Sequence, residues 1–295
     1  VSGQSLALFT LDLNYDPLTR GAYNFNPEVS ASGSGFTSPQ DNFGGIMRPL
    51  TSTNFEQSNV EFIEFWLMDP FAYDDVDNPG GTIVFNLGNI SEDVLKDGKK
   101  QYENGLPKIA DPNFTPSTGT IGQVPVKQSL IYAFDSEGQE RVVQDAGFDG
   151  LNDAQEAIAF PGFGTEDPSA DNYEYYLQGT GGILERYKKY NGTQGNSPTD
   201  VSNDDRGNTT YPTVEDINRD NTMNTIDSYY VYEVPVFKGM DVGNDSGTGY
   251  ISDVQEIETE ALNGGVLRTR WVRFKIPIYE PVSYTHLRAH ETRTY

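Results

Sequence analysis

The stretch RWVRFKIPI, Arg270–Ile278, alternates without a break: Val272, Phe274, Ile276 and Ile278 fall on one face of an extended chain, and Trp271, Arg273 and Lys275 on the other. Successive side chains of a strand point to opposite faces, so the pattern means one face buried and one wet, as antiparallel sheets allow. Working outward, SYYVYEVPVF (Ser228–Phe237) and the glycine-bounded GGTIVFNLG (Gly80–Gly88) read as further strands. In VEFIEFWLMDPF (Val60–Phe71) the alternation is imperfect, but its aromatic and β-branched density, closed by Asp69-Pro70, fits a core strand better than a helix. Closed sheets with long loops between them suit a mainly β fold, a jelly-roll-like β-sandwich with long acidic loops and a few short helices.

Two helices are expected. SEDVLKDG places Ser91 at an N-cap, Glu92 and Asp93 in the first turn, and Gly98 at the stop. GILERYKKYNG carries Leu184, Tyr187 and Lys188 on one side and ends at Asn191-Gly192. At the start, SLALFTLDLNY (Ser5–Tyr15) is a strand candidate, and the chain from there to Gly35 reads as extended lead-in and linker. Gly44-Gly45 is expected to make a tight turn. Three parts follow: residues 1–35 as strand and linker, 36–281 as a β-rich module, and 282–295 as a non-native tail. That tail, VSYTHLRAHETRTY, holds both histidines of the chain and a single acid, Glu291.

The 295 residues carry 44 acids against 20 bases, a formal charge of −24. Nucleic-acid binders present a basic face, so phosphate-backbone binding is excluded as the reading, and cations or neutral partners are favoured. With no cysteine there is no disulfide framework, thiolate zinc site or cysteine nucleophile. No window has the apolar length of a transmembrane helix, and the first residues lack the basic region of a signal peptide, so the chain is expected to be an internal piece. Outside the tail no histidine is present, and no carboxylate pair is marked for glycoside hydrolysis, so a non-enzyme is expected. Trp66 and Trp271 are expected in the core, with stacking on a sugar as the alternative.

Two twelve-residue windows carry metal chemistry. In DINRDNTMNTID, Asp216, Asn218, Asp220, Asn224 and Asp227 stand at positions 1, 3, 5, 9 and 12, and Thr222 lends a carbonyl at position 7. Ca²⁺ takes six to eight hard oxygen ligands, and a tight loop aims alternate side chains inward. Asn221 replaces the usual turn glycine, which asparagine tolerates because it visits the left-handed region. In DAGFDGLNDAQE, Asp145, Asp149, Asp153 and Glu156 stand at 1, 5, 9 and 12, Gly150 fills the turn and Leu151 offers the carbonyl, while Gly147 removes one ligand. A third acidic group, Asp74, Asp75 and Asp77, has no such spacing and reads as a solvated loop.

Several long stretches occur in an order that resembles the SprA family of gliding-motility cell-surface proteins, called Sov in some Bacteroidetes. They are DNFGGIMRPLTSTNFEQSNVEFIEFWLMDPF, FNLGNISEDVLKDGKKQYENGLP, DAGFDGLND, ILERYKKYNGTQGNSP, EDINRDNTMN and RFKIPI, within roughly residues 5 to 280. The resemblance implies an outer-membrane translocon of the type IX secretion system, a very wide β-barrel through which cargo bearing a C-terminal signal is exported. It implies as partners the rest of that barrel, its accessory subunits and secreted cargo, and a module facing the periplasm or the cell surface. The alternative is a stand-alone calcium-dependent carbohydrate-binding module.

Overall fold

The computed structural model describes residues 9–21, 24, 35–52, 54–73, 77–93, 116–118, 123–125, 151–190, 215–260 and 263–288. The chain divides into two compact units, each discontinuous in sequence: Val1–Pro49 with Glu92–Asn224, and Leu50–Ser91 with Thr225–Tyr295.

The second unit is a two-sheet antiparallel sandwich, so the mainly β expectation holds. One sheet runs in the order β1 (Phe62–Met68), β7 (Val266–Pro277), β6 (Ile251–Glu260). The other runs β2 (Gly81–Asn89), β5 (Ile226–Val236), β8 (Ser283–Arg288). The RWVRFKIPI alternation sets the inner face: Val272, Phe274 and Ile276 are essentially unexposed, and β5 answers them with Tyr232, Val234 and Val236. Ile63, Phe65 and Leu67 of β1 and Ile83, Phe85 and Leu87 of β2 pack against the same cluster. The Phe65 ring lies 5.1 Å from Phe274 in its own sheet and 5.3 Å from Phe85 of the facing one, so one aromatic layer closes the two sheets. Each such side chain contributes about 1.5–3 kcal/mol by leaving water. The glycines that bound β2 matter sterically: a Cβ on Gly80 would lie 2.2 Å from Val236 O, and one on Gly88 2.5 Å from Ser228 O, so only glycine lets β5 come this close.

Where β1 ends, Asp69 turns inward. Its Oδ1 accepts from Phe71 N (2.9 Å) and its Oδ2 from Arg270 Nη1 (2.7 Å), while Asp69 N donates to Arg270 O (2.7 Å). Arg270 Nη2 donates to Met240 O as well, so one guanidinium joins the end of β1, the start of the buried part of β7 and the loop after β5. The Asp69 side chain is 1% exposed and that of Arg270 13%.

The first unit, among the described residues, holds the hairpin β3 (Pro116–Thr118) and β4 (Gln123–Pro125) and two short helices, α1 (Asp153–Ala159) and α2 (Ile183–Tyr190). The expected α2 forms, its Tyr187 and Tyr190 packing on Tyr176 with ring centroids 4.8 and 6.4 Å away. In the lead-in, residues 22, 23 and 25–34 lie outside the described residues, and the chain before them is packed at Arg20. Arg20 is buried, its guanidinium stacked 3.9 Å over the Phe160 ring and 4.9 Å over Phe163, with Nη2 donating to Ser169 Oγ (3.3 Å).

Four local expectations are corrected. Of the expected strand Ser5–Tyr15, Ser5–Leu8 lies outside the described residues and Phe9–Tyr15 forms no strand; Phe9, Leu11 and Leu13 are exposed there, with no sheet among the described residues for the run to join. Ser91–Asp93 is not helical: Ser91 N donates to Asp227 Oδ1 (2.8 Å) and Glu92 is buried as an acceptor for a distant loop, and both uses compete with a helix start. The remainder of SEDVLKDG lies outside the described residues. Gly44-Gly45 makes no tight turn; Gly44 instead admits the Tyr15 ring, whose Cδ2 would stand 2.7 Å from an added Cβ. Finally, part of the segment set aside from 282 onward pairs with the sheet, Ser283–Arg288 lying antiparallel to Val231–Ile226.

Removing one member of a buried ion pair leaves the other charged and desolvated. Arg270→Ala should therefore destabilise the sandwich by roughly 3–5 kcal/mol. Arg273→Ala, which breaks the exposed 2.6 Å pair with Glu64, should cost no more than about 1 kcal/mol. Urea unfolding followed by far-ultraviolet circular dichroism compares the two.

Candidate metal centre

The first calcium-type window ends inside a helix. Asn152 caps α1 reciprocally: its side chain accepts from Gln155 N (3.2 Å), and Asn152 N donates to Gln155 Oε1 (3.1 Å). The pattern Asn-x-x-Gln is a capping box readable in sequence, and it places Asp153 and Glu156, three residues apart, on one side of the first helical turn. Both carboxylates also sit at the positive end of the helix dipole. Glu156 is fully buried, and its Oε2 accepts from Ser169 N (3.0 Å). Asp153 is half-buried, and both of its oxygens accept from Asn172 Nδ2 (3.0 and 3.2 Å).

A third carboxylate, Asp167, joins them. One oxygen from each of Asp153, Glu156 and Asp167 lies within 4.8 Å of the others. Two oxygens bound to one Ca²⁺ at 2.3–2.6 Å stand at most about 4.6–5.2 Å apart, so this spacing fits a single hard cation. Asp167 was missed because its link to α1 runs through the Asp167-Pro168 turn, where Asp167 Oδ1 accepts from Asp171 N (3.1 Å) and Ser169 reaches back to Glu156. An acid opening an Asp-Pro turn is the one sequence hint it carries. Leu151 precedes the cap; Asp145 and Asp149 lie outside the described residues.

Desolvation by burial pushes the Asp153 carboxyl above the ordinary aspartate range; the Asn172 hydrogen bonds oppose this and the neighbouring Asp167 charge adds to it. Three carboxylates with one of them fully buried form a repelling set that a divalent cation relieves, so the donor chemistry fits Ca²⁺.

The second window takes a different course. Asp216 Oδ1 accepts from Asp220 N (3.0 Å) and Oδ2 from Asn221 N (3.1 Å). Asn218 Oδ1 also accepts from Asp220 N (3.0 Å), and Asp220 Oδ1 accepts from Thr222 N and Oγ1 (2.9 and 2.6 Å). The Thr222 hydroxyl holds the Asp220 carboxyl below its usual range, against a smaller opposing effect of desolvation. Arg219 and Asn221 adopt φ of 59° and 62°, so the asparagine does occupy the left-handed turn position. Glu92 closes this loop: Oε1 accepts from Ile217 N (2.9 Å), and Oε2 from Asn224 N and Nδ2 (2.9 and 3.1 Å). Asn224 is thus engaged by Glu92, and Asp227 belongs to the sandwich unit, where it accepts from Ser91 N. Among the described residues this window gathers no three-acid group like that at α1.

The geometry defines a mainly β, antiparallel module with acidic loops, one of which gathers three carboxylates. Residues 151–286, from just before α1 into β8, match the SprA_N family, described as motility related/secretion protein, and over that segment the chain is SprA-like. No curated protein matches the chain. No described helix is long and apolar enough to cross a membrane.

The raised Asp153 carboxyl has a worked consequence for stability. The folded protein holds that proton to higher pH than the unfolded chain, so the site's contribution falls as pH rises from about 4 through the raised value. Asp153→Asn, neutral throughout, should remove this fall. In chelator, thermal melting from pH 4 to 7 should show the variant at least as stable as the parent at the upper end.

Proposed function

We propose that the chain is a structural segment of a SprA-type outer-membrane protein translocon, acting in type IX secretion and gliding motility. The match over residues 151–286 carries this reading, because it spans α1 with its carboxylates, the 216–224 loop and the core strands β5, β6 and β7 together. The long stretches quoted above support it in the same direction. On this reading the partners are the remainder of the barrel, its accessory subunits and the exported cargo, and the module faces the periplasm or the cell surface of the outer membrane. It is a non-catalytic part: it contributes a rigid sandwich and ordered loops, and turns over no substrate.

Calcium belongs to the same proposal. Extracellular modules bind Ca²⁺ with dissociation constants around 10⁻⁴–10⁻³ M. Asp153, Glu156 and Asp167 would hold the ion, with Leu151, Asp145 and Asp149 as the remaining donors of that window. The second window, Asp216, Asn218, Asp220, Thr222, Asn224 and Asp227, would bind more weakly, since its side chains already serve backbone N–H groups. When bound, the ion neutralises the acidic cluster; the residues themselves position the loops.

Two measurements test these statements separately. Deleting the coding segment for this module in a gliding cell should stop export of cargo bearing the C-terminal signal and stop spreading; unchanged export would sink the translocon reading. Calorimetric titration of the metal-free protein should show calcium uptake that stabilises the fold by roughly 0.4–1.4 kcal/mol at about 1 mM calcium. Asp167→Ala should remove most of that gain, Asp220→Ala little of it, and Mg²⁺ should substitute poorly because its octahedral shell is small and reluctant to shed water. No uptake up to several millimolar, or uptake indifferent to Asp167→Ala, defeats the metal assignment.

A further inference from the structure

The outer face of the β1-β7-β6 sheet does not follow the expectation for its tryptophans. The chain has two, Trp66 and Trp271, and the strand register puts both on this wet face. Trp66 stands opposite Arg273 and Met68 opposite Trp271, so the indoles are diagonal neighbours on one sheet surface. Trp66 is 40% exposed and Met68 50%. Trp271 keeps its ring in place by donating Nε1 to Thr269 Oγ1 (3.2 Å), two residues away on the same face. Phe62 shares the surface, but the Lys275 ammonium covers its ring at 4.0 Å. Arg273 lies only at the limit of reach from Trp66, 6.0 Å from the ring centre.

Charge selects the occupant. Glu64 pairs with Arg273 (2.6 Å), Asp253 stands opposite Arg273 on the other side, and Lys275 stands opposite Glu64. Two acids and two bases thus alternate with the aromatic rows, leaving this face locally balanced in a chain of net charge −24. A polyanion is repelled by the whole molecule, a second copy brings the same charge again, and a purely apolar occupant would strip water from the Glu64–Arg273 pair without replacing it. A neutral polyhydroxylated chain does neither: its C–H faces stack on indole, and its hydroxyl groups hydrogen-bond to carboxylate and guanidinium.

We propose that the outer face of β1 and β7, centred on Trp66, Trp271 and the Glu64–Arg273 pair, binds a neutral polysaccharide. The site stands on the sheet register and exposure alone, so it does not depend on the secretion or calcium readings. Because both tryptophans lie here, emission excited selectively from tryptophan, at wavelengths where the 18 tyrosines do not absorb, reports this surface.

Affinity electrophoresis of the full chain through gels holding hydroxyethylcellulose, xyloglucan, laminarin or mannan tests it. At least one should retard the protein and alter its tryptophan emission, with the emission change retained in Trp271→Phe, where Trp66 alone reports. Trp66→Ala and Arg273→Ala should each weaken that retardation about tenfold, with circular dichroism spectra matching the parent. Arg273→Ala serves as the second variant if Trp66→Ala folds poorly. Absence of retardation and emission change with all of these glycans overturns the proposal, as does retardation by the polyanion alginate alone or binding that both substitutions leave intact. A concentration-dependent dimer lost in Trp66→Ala overturns it too, by assigning the face to a second copy.

Discussion

Buried carboxylates that gather backbone N–H groups are what the loops of this protein depend on. Glu92 takes N–H groups at both ends of the 217–224 stretch, Glu156 takes Ser169, Asp227 takes Ser91, and Asp245 takes Gly247 and Ile251. Each of these acids is nearly unexposed. An ionised carboxylate out of water is costly unless several donors face it, and charge-assisted bonds to backbone N–H are about twice as strong as neutral ones. A chain with many acids and long loops can use that strength to fix segments far apart in sequence.

Asp69 is the variant of this device that also recruits a cation. Its Oδ1, accepting from Phe71 N, shapes the turn after β1, and its second oxygen holds Arg270. Because the same guanidinium reaches Met240 O, the sandwich edge and the loop after β5 share one polar joint beside the apolar core. The exposed Arg273–Glu64 pair, three residues along β7, is similar in distance but faces water. Burial, and not geometry, separates a joint that holds the fold from one that is free to meet a ligand.

The two calcium-type windows show how similar spacing leads to different chemistry. At Asp153 and Glu156 a helix start holds both acids on one side, and Asp167 arrives from a following turn, so negative charge accumulates. At Asp216 and Asp220 the side chains bend back onto Asn221 N and Thr222 N, and the charge is spent on the loop's own donors. A cation has more to relieve at the first than at the second.

The sequence by itself determined four strands of the sandwich, β1, β2, β5 and β7, and the direction of the β7 faces. Alternation in RWVRFKIPI named Val272, Phe274 and Ile276 as core, and flanking glycines marked the bounds of β2, because a strand's period and its breakers are local properties. It also named Asp153 and Glu156, whose shared helical turn is local too. Only the tertiary structure decided that Glu92 leaves a helix start to clamp a loop 125 residues on, that Asp167 completes the acidic cluster, and that Trp66 joins Trp271 on the outer face. Those outcomes rest on which distant N–H groups a carboxylate meets when buried and on which face of β1 lies over the second sheet. Propensity and spacing weigh a residue against its neighbours in the chain; burial weighs it against whatever the fold brings alongside.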